Sequence, residues 1–392
     1  MTGQPSQRVQ MVKPSPTLAV TARAAELRAA GKDIIGLGAG EPDFDTPVHI
    51  KNAALKAIAD GKTKYTAVDG TPELKQAIIS KFKRDNNIDY AADQILVSCG
   101  GKQSFFNLAL ALINSGDEVI IPAPYWVSYP DMVAIAEGKP VIVKATLENR
   151  FKLTPEQLEA AITDKTRLVV LNSPSNPTGT AYTRQELEAL GDVLKKYPNI
   201  LIATDDMYEH ILWSDEPFCN ILMACPDLYD RTIVLNGVSK AYSMTGWRIG
   251  YCGGPAWLIK NMKKIQSQST SNPCSIAQAA ATEALDGSQE CVEVMLKAFK
   301  KRHDYVVGRL NELPGVTAIE SDGTFYAFPD FSEAIKTLGF EKDTDFAEML
   351  LEKGVALVPG SAFGSEGCMR LSFATSDRAL ETALDRLQEA LS

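Results

Sequence analysis

The stretch Ile95-Leu96-Val97-Ser98-Cys99-Gly100-Gly101-Lys102-Gln103-Ser104-Phe105 decides the fold class. Its first four residues read as a buried strand and Cys99 to Gln103 as a tight glycine turn. From 104 to 114 the apolar residues Phe105, Leu108, Ala109 and Leu112 fall on one helical stripe. Strand, glycine turn and helix N-terminus form an anion cradle by geometry, because free N–H groups and the positive dipole end point outward. The P-loop pattern G-x-x-x-x-G-K-[ST] is absent. Downstream, strands are predicted at 118–121, 141–144, 168–172, 200–204, 232–235 and 249–252, with helices between several of them. Thr154-Pro155-Glu156-Gln157 and Thr183-Arg184-Gln185-Glu186 read as capping boxes. This alternation predicts an α/β fold with a mostly parallel sheet covered on both faces. Ligands of such sheets bind beyond the carboxyl ends of the strands. Those ends carry Gly100-Gly101-Lys102, Tyr125-Trp126, the run from Asn172 to Gly179, Asp205-Asp206-Met207-Tyr208 and Ser239-Lys240.

Upstream, a helix is predicted over 18–30 and closed by Gly31. Gly36-Leu37-Gly38-Ala39-Gly40-Glu41-Pro42 has glycines at the wrong spacing for a dinucleotide fingerprint, and Pro42 breaks the helix that reading needs. It reads as a turn where backbone approaches a ligand. Helices follow over 49–60 and, opened by Thr71-Pro72, to about 86. After Pro273 the pattern changes to a long helix over 290–313, strands at 317–320, 326–329, 355–358 and 370–373, and helices at 344–353 and 377–391. A second, smaller α+β domain is expected there. We divide the chain into a large domain, 48–290, and a small domain made of 1–47 with 291–392.

Composition excludes several classes. The 392 residues are 45% hydrophobic and 23% charged, and the formal net charge is −9. An acidic chain of this kind is unsuited to non-specific nucleic-acid binding. No apolar run reaches the roughly 18 residues that cross a bilayer, so no membrane partner is expected. Seven cysteines without C-x-x-C spacing read as reduced thiols of a cytoplasmic protein. His49, His210 and His303 fit no metal pattern, so no metal is expected.

Lys240 lies in Asn236-Gly237-Val238-Ser239-Lys240-Ala241-Tyr242, on a loop between two predicted strands, with Arg248 eight positions on. Taken with its neighbours at the other strand ends, it completes a set suited to pyridoxal phosphate: a lysine for the Schiff base, a carboxylate, donors to a ring oxygen and an anion cradle. The motifs Gly38-Ala39-Gly40-Glu41-Pro42-Asp43-Phe44, Lys64-Tyr65-Thr66, Pro124-Tyr125-Trp126, Asn172-Ser173-Pro174-Ser175-Asn176-Pro177-Thr178-Gly179, Asp205-Asp206-Met207-Tyr208 and Gly246-Trp247-Arg248 occur in one order along nearly the whole chain. In this order the sequence resembles the fold-type I, class I aminotransferases, and within them the bacterial aspartate aminotransferases that also act on prephenate.

The resemblance implies a seven-stranded sheet in the large domain, pyridoxal 5′-phosphate as cofactor and a homodimer. Lys240 matches the lysine that binds the cofactor covalently and then carries the Cα proton. Asp205 matches the partner of the ring nitrogen, Tyr208 and Asn176 the donors to the ring oxygen, and Trp126 the aromatic stacked on the ring. Gly101, Lys102 and Arg248 match the phosphate site, and Tyr65 a residue that reaches the phosphate of the neighbouring subunit. Many relatives carry a phosphate-binding serine three residues before the lysine; here that position is Gly237, and Ser239 stands in for it. Arg370, in Met369-Arg370-Leu371-Ser372, matches the arginine on the substrate α-carboxylate, with Gly40, Trp126 and Asn176 beside it. Lys13 matches a lysine associated with prephenate recognition. The implied reaction is amino transfer between L-aspartate and 2-oxoglutarate in a ping-pong cycle, with prephenate as a further acceptor. The alternatives are another aminotransferase specificity or a cysteine-conjugate β-lyase on the same fold. An amino-acid-sensing regulator is disfavoured by the short segment ahead of the β/α region and by the acidic charge.

Overall fold

The structure is a computed structural model that describes residues 3–14 and 16–392. Among the described residues one sheet dominates. Its strands are β2 (Ile95–Ser98), β3 (Glu118–Ala123), β4 (Lys139–Lys144), β5 (Thr166–Asn172), β6 (Leu201–Asp205), β7 (Thr232–Gly237) and β8 (Gly250–Gly253), following a short β1 (Ile35–Gly36) outside it. The order is β2-β8-β7-β6-β5-β3-β4. β8 runs antiparallel to both neighbours, and the other pairs are parallel.

Period-two alternation explains the two covered faces. Ile95, Val97 and Val234 point into one core with Phe82 and Ala281, from helices Pro72–Asn86 and Ser275–Asp286. Leu96, Leu235 and Cys252 point into the other with Phe105, Leu108 and Met262, from helices Gly101–Leu112 and Ala256–Ser269. Both capping boxes are present, at Thr154 with Gln157 and at Thr183 with Glu186. Thr71 caps Pro72–Asn86, and the predicted N-terminal helix spans Pro16–Ala29.

Another core gathers residues between 295 and 391 with Leu37, Tyr208 and Ile211. It carries β9 (Tyr326–Ala327), β10 (Val355–Ala356), β11 (Val358–Pro359) and β12 (Met369–Ser372). β11-β12-β9 form an antiparallel sheet, while β10 pairs in parallel with β1. Two expectations need correction here. The strand expected over 355–358 is split at Leu357, because its halves pair with different partners. The strand expected over 317–320 does not form; Thr317 makes only an isolated bridge to Asp330. Side chains of the long helix Glu290–Asn311 take up that backbone instead. Asn311 Oδ1 accepts from the Ala318 N–H, Asn311 Nδ2 donates to the Ala318 carbonyl, and His303 Nε2 accepts from the Ser321 N–H.

Candidate active site

The carboxyl ends of β2, β5, β6 and β7 open into a cleft of about 330 Å³. It is closed from the other side by Gly38 to Glu41, Tyr326 and Arg370. Lys240 lies on its floor, and its Nζ donates to the Gly40 carbonyl at 2.5 Å. Burial pushes the Lys240 ammonium down to about 8; Arg370 and Arg248 push the same way, and Glu41 and Asp205 oppose. A neutral, nucleophilic amine is therefore accessible near neutral pH.

Asp205 ends β6. Burial raises its pKa, opposed by hydrogen bonds from Tyr129 and the Met207 N–H and by the Lys240 charge. Asn172 ends β5 and ties this corner together. Its Nδ2 donates to the Asp205 carbonyl at 2.8 Å, and its Oδ1 accepts from the Asn176 N–H at 2.8 Å. Tyr208 is buried, with its hydroxyl 3.0 Å from that of Tyr326.

The glycine turn is shaped for an anion. The first amides of helix Gly101–Leu112 have no carbonyl one turn back. Gly100 has φ +87, and a Cβ there would stand 2.2 Å from Arg248 Nη2. A Cβ on Gly250 would stand 2.2 Å from the Gly101 nitrogen. Exposed Arg248 is anchored through Nη1 on the Thr245 carbonyl at 2.9 Å. The helix starts at Gly101, three residues before the position expected, because Gly100 supplies the left-handed turn that lets it begin there.

Arg370 is 3% exposed. It donates through Nη1 to Asn176 Oδ1 at 2.9 Å and through Nη2 to the Gly38 carbonyl at 2.7 Å, and its guanidinium lies 4.5 Å from the Tyr326 ring centroid. Its Nε is buried without a hydrogen-bond partner. An unpaired buried guanidinium donor is costly unless an acceptor arrives, and a carboxylate is the acceptor that matches its fork.

Thus Gly40, Gly101, Lys102, Trp126, Asn176, Asp205, Tyr208, Ser239, Lys240, Arg248 and Arg370 line one cleft. Lys13 and Tyr65 do not. Lys13 is exposed ahead of helix Pro16–Ala29, whose Thr17, Leu18 and Thr21 face the cleft instead. Tyr65 is 92% exposed, on the loop after helix Val48–Ala59. Two lining features escape a reading of the sequence. Tyr326 sits in an apolar strand and looks like core. Lys102 is expected at the phosphate site, yet its ammonium lies 5.2 Å from the Trp126 ring centroid and makes no ion pair among the described residues.

These residues fit pyridoxal phosphate: a deprotonatable lysine, a carboxylate, hydroxyl and amide donors, and a glycine turn with an arginine. Comparison with known proteins agrees. The family described as aminotransferase class I and II matches residues 32–387, and the chain belongs to that family. It is an enzyme, and pyridoxal phosphate is its cofactor. It is 63% identical to the aspartate/prephenate aminotransferase of Nitrosomonas europaea, over 99% of each chain. It is 58% identical to the protein of that name from Cereibacter sphaeroides, over 98% of this chain and 97% of the relative. Among solved structures, the aspartate aminotransferase from Rhizobium meliloti superposes with a TM-score of 0.95 at 48% identity, covering 99% of both chains. The Thermus thermophilus enzyme with maleate superposes with a TM-score of 0.93 at 44% identity, covering both chains fully.

Proposed function

We propose that this chain transfers the amino group of L-aspartate to 2-oxoglutarate and also transaminates prephenate. The observation that carries this reading is the joint presence in one cleft of the Lys240 amine and the unpaired Nε–H of buried Arg370. When bound, pyridoxal phosphate supplies a carbonyl that captures an amino group and a ring that takes up the electrons released at Cα. The chain supplies everything else. Arg370 grips the substrate α-carboxylate and fixes the orientation of its Cα–H bond. The Lys240 amine takes the Cα proton and is the group that gives it back. Asp205 would pair with the ring nitrogen, Tyr208 and Asn176 would donate to the ring oxygen, and Trp126 would cover the ring. The backbone N–H groups of Gly101 and Lys102, with Ser239 and Arg248, would hold the phosphate, and Gly40 offers backbone to the substrate.

A dicarboxylate needs one more cation. Of the cations lining the cleft, Lys240, Arg248 and Arg370 are engaged, and Lys102 is left. We therefore assign the side-chain carboxylate of aspartate to the Lys102 ammonium rather than to Lys13. The exposure of Tyr65 suits a side chain that serves a neighbouring subunit, and we propose a homodimer on that ground. The proposed domain division at 48–290 is supported by the core that residues 295–391 form with Leu37, into which Tyr208 and Ile211 of the large domain also pack. A cytoplasmic setting rests on the odd, scattered cysteines. Among the described residues no helix is long and apolar enough to cross a membrane.

The test is optical. The purified protein is expected to carry a yellow band that aspartate bleaches and 2-oxoglutarate restores, with arogenate and prephenate acting as a second such pair. Bleaching by alanine but not by aspartate would reject the dicarboxylate assignment. Ammonia and pyruvate from a cysteine conjugate, with no oxo acid needed, would mean a β-lyase.

A further inference from the structure

Tyr129 lies one helical turn beyond Trp126, at the start of helix Ser128–Ile135, and its N–H donates to the Trp126 carbonyl at 3.0 Å. The two rings meet edge to face with centroids 5.2 Å apart, and Phe105 packs on Tyr129 at 4.8 Å. The residue is 1% exposed. Its hydroxyl donates to Asp205 Oδ2 at 2.5 Å. Asp205 Oδ1 accepts only a long bond, 3.3 Å, from the Met207 N–H. Among the described residues Tyr129 is thus the side-chain donor to Asp205.

We propose that Tyr129 is a positioning residue for the transamination: its hydroxyl fixes Asp205 and keeps the carboxylate ionised, and so sets how firmly the cofactor's ring nitrogen holds its proton. This rests on the reading of Asp205 given above. A carboxylate this deep drifts toward its neutral form unless donors or cations oppose burial. The titratable groups that act on it are Tyr129 from the helix, Lys240 from the loop after β7, and Tyr208 from its own turn. Asp206 has partners of its own, accepting from Thr204 Oγ1 at 2.7 Å and from Asn220 Nδ2 at 2.6 Å. Burial and the charge of Asp205 push the Tyr129 phenol well above its usual value, so it remains a donor throughout the working range. Trp126 and Tyr129, three residues apart, thereby let one short helix govern both the face of the ring and the partner of its nitrogen.

The experiment compares wild type with Tyr129→Phe, which keeps the ring and removes only the hydroxyl, in the Asp205 and Asp205→Asn backgrounds. Cofactor affinity of the apoprotein is titrated. Nitrogen NMR with ring-labelled pyridoxal phosphate then follows protonation of the bound ring against pH. In the Asp205 background the substitution is expected to weaken cofactor binding about tenfold, the scale of one hydrogen bond to a charged group. The proton shared by Asp205 and the ring nitrogen should shift toward the carboxylate, so that less of the nitrogen is protonated near neutral pH, and kcat should fall while KM for aspartate holds. In the Asp205→Asn background the substitution should change affinity less than about twofold, because its effect runs through the carboxylate. Unchanged affinity and titration would overturn the proposal, and so would an equal loss in both backgrounds. If apo Tyr129→Phe melts early, fluorotyrosine at 129 decides: its more acidic phenol donates more strongly to the carboxylate, and the proton must then rest closer to the ring nitrogen than in wild type. Wild type that binds no pyridoxal phosphate would instead sink the underlying reading of the site.

Discussion

At the scale of single residues the cleft is an exercise in burying charge with a purpose. Lys240 is the plainest case. Its ammonium is pushed to about 8 from an ordinary 10.5, chiefly by burial, and only the neutral amine attacks a carbonyl. In the cofactor-free protein, capture of pyridoxal phosphate should therefore accelerate as pH rises through about 8 and level off above it. A rate that keeps climbing toward pH 10 would mean that the amine sits in a water-like setting; Lys240→Ala gives the background. Lys240, Asp205, Asn176 and Arg370 were legible in the sequence because each interrupts a loop motif at a strand end or in a short strand. Tyr326 and Tyr129 were not. Each is a buried aromatic among apolar neighbours, and only the hydroxyl contact, to Tyr208 in one case and Asp205 in the other, sets it apart from core. Lys13, suggested by the resemblance alone, lies exposed outside the cleft lining of this chain.

Among the elements, the packing of β8 against the start of helix Gly101–Leu112 decides whether an anion can be held. Gly250 has no room for a side chain, since a Cβ would stand 2.2 Å from the Gly101 nitrogen. Gly250→Ala should displace the glycine turn and weaken pyridoxal phosphate binding about tenfold or more, with overpacking costing roughly 1–3 kcal/mol of stability. Titration of the apoprotein with cofactor, alongside chemical denaturation, checks both; intact affinity would separate the turn from phosphate binding. Elements bounded by local chemistry were readable: Thr71, Thr154 and Thr183 all cap the helices expected of them. Elements whose identity depends on a distant partner were not. Residues 355–358 look like one strand until β1 and β12 are seen to claim different halves. Residues 317–320 look like a strand until Asn311 and His303 answer for the neighbouring backbone.

Across the whole molecule, the proposed dimer makes a prediction that no single chain can satisfy. If Tyr65 completes the phosphate site of its neighbour, Tyr65→Ala should weaken cofactor binding. Lys240→Ala should be inactive. A mixture of the two that has exchanged subunits should then exceed the sum of its parts at limiting cofactor, because each hybrid holds one site with both native residues. Strict additivity would place Tyr65 outside the site. The broad architecture, parallel sheet first and smaller unit second, followed from the order of elements, whereas the convergence of residues 38–41 and 370 over the sheet is a long-range closure that no local pattern encodes. That closure has a further consequence. Within one chain, colour from the bound cofactor would draw on residues between 101 and 248, while turnover would also need Gly38, Gly40 and Arg370, contributed from outside that stretch. In refolding with cofactor present, colour is therefore expected to return before turnover, the first reporting the sheet and the second the arrival of residues 38–40 and 370 above it.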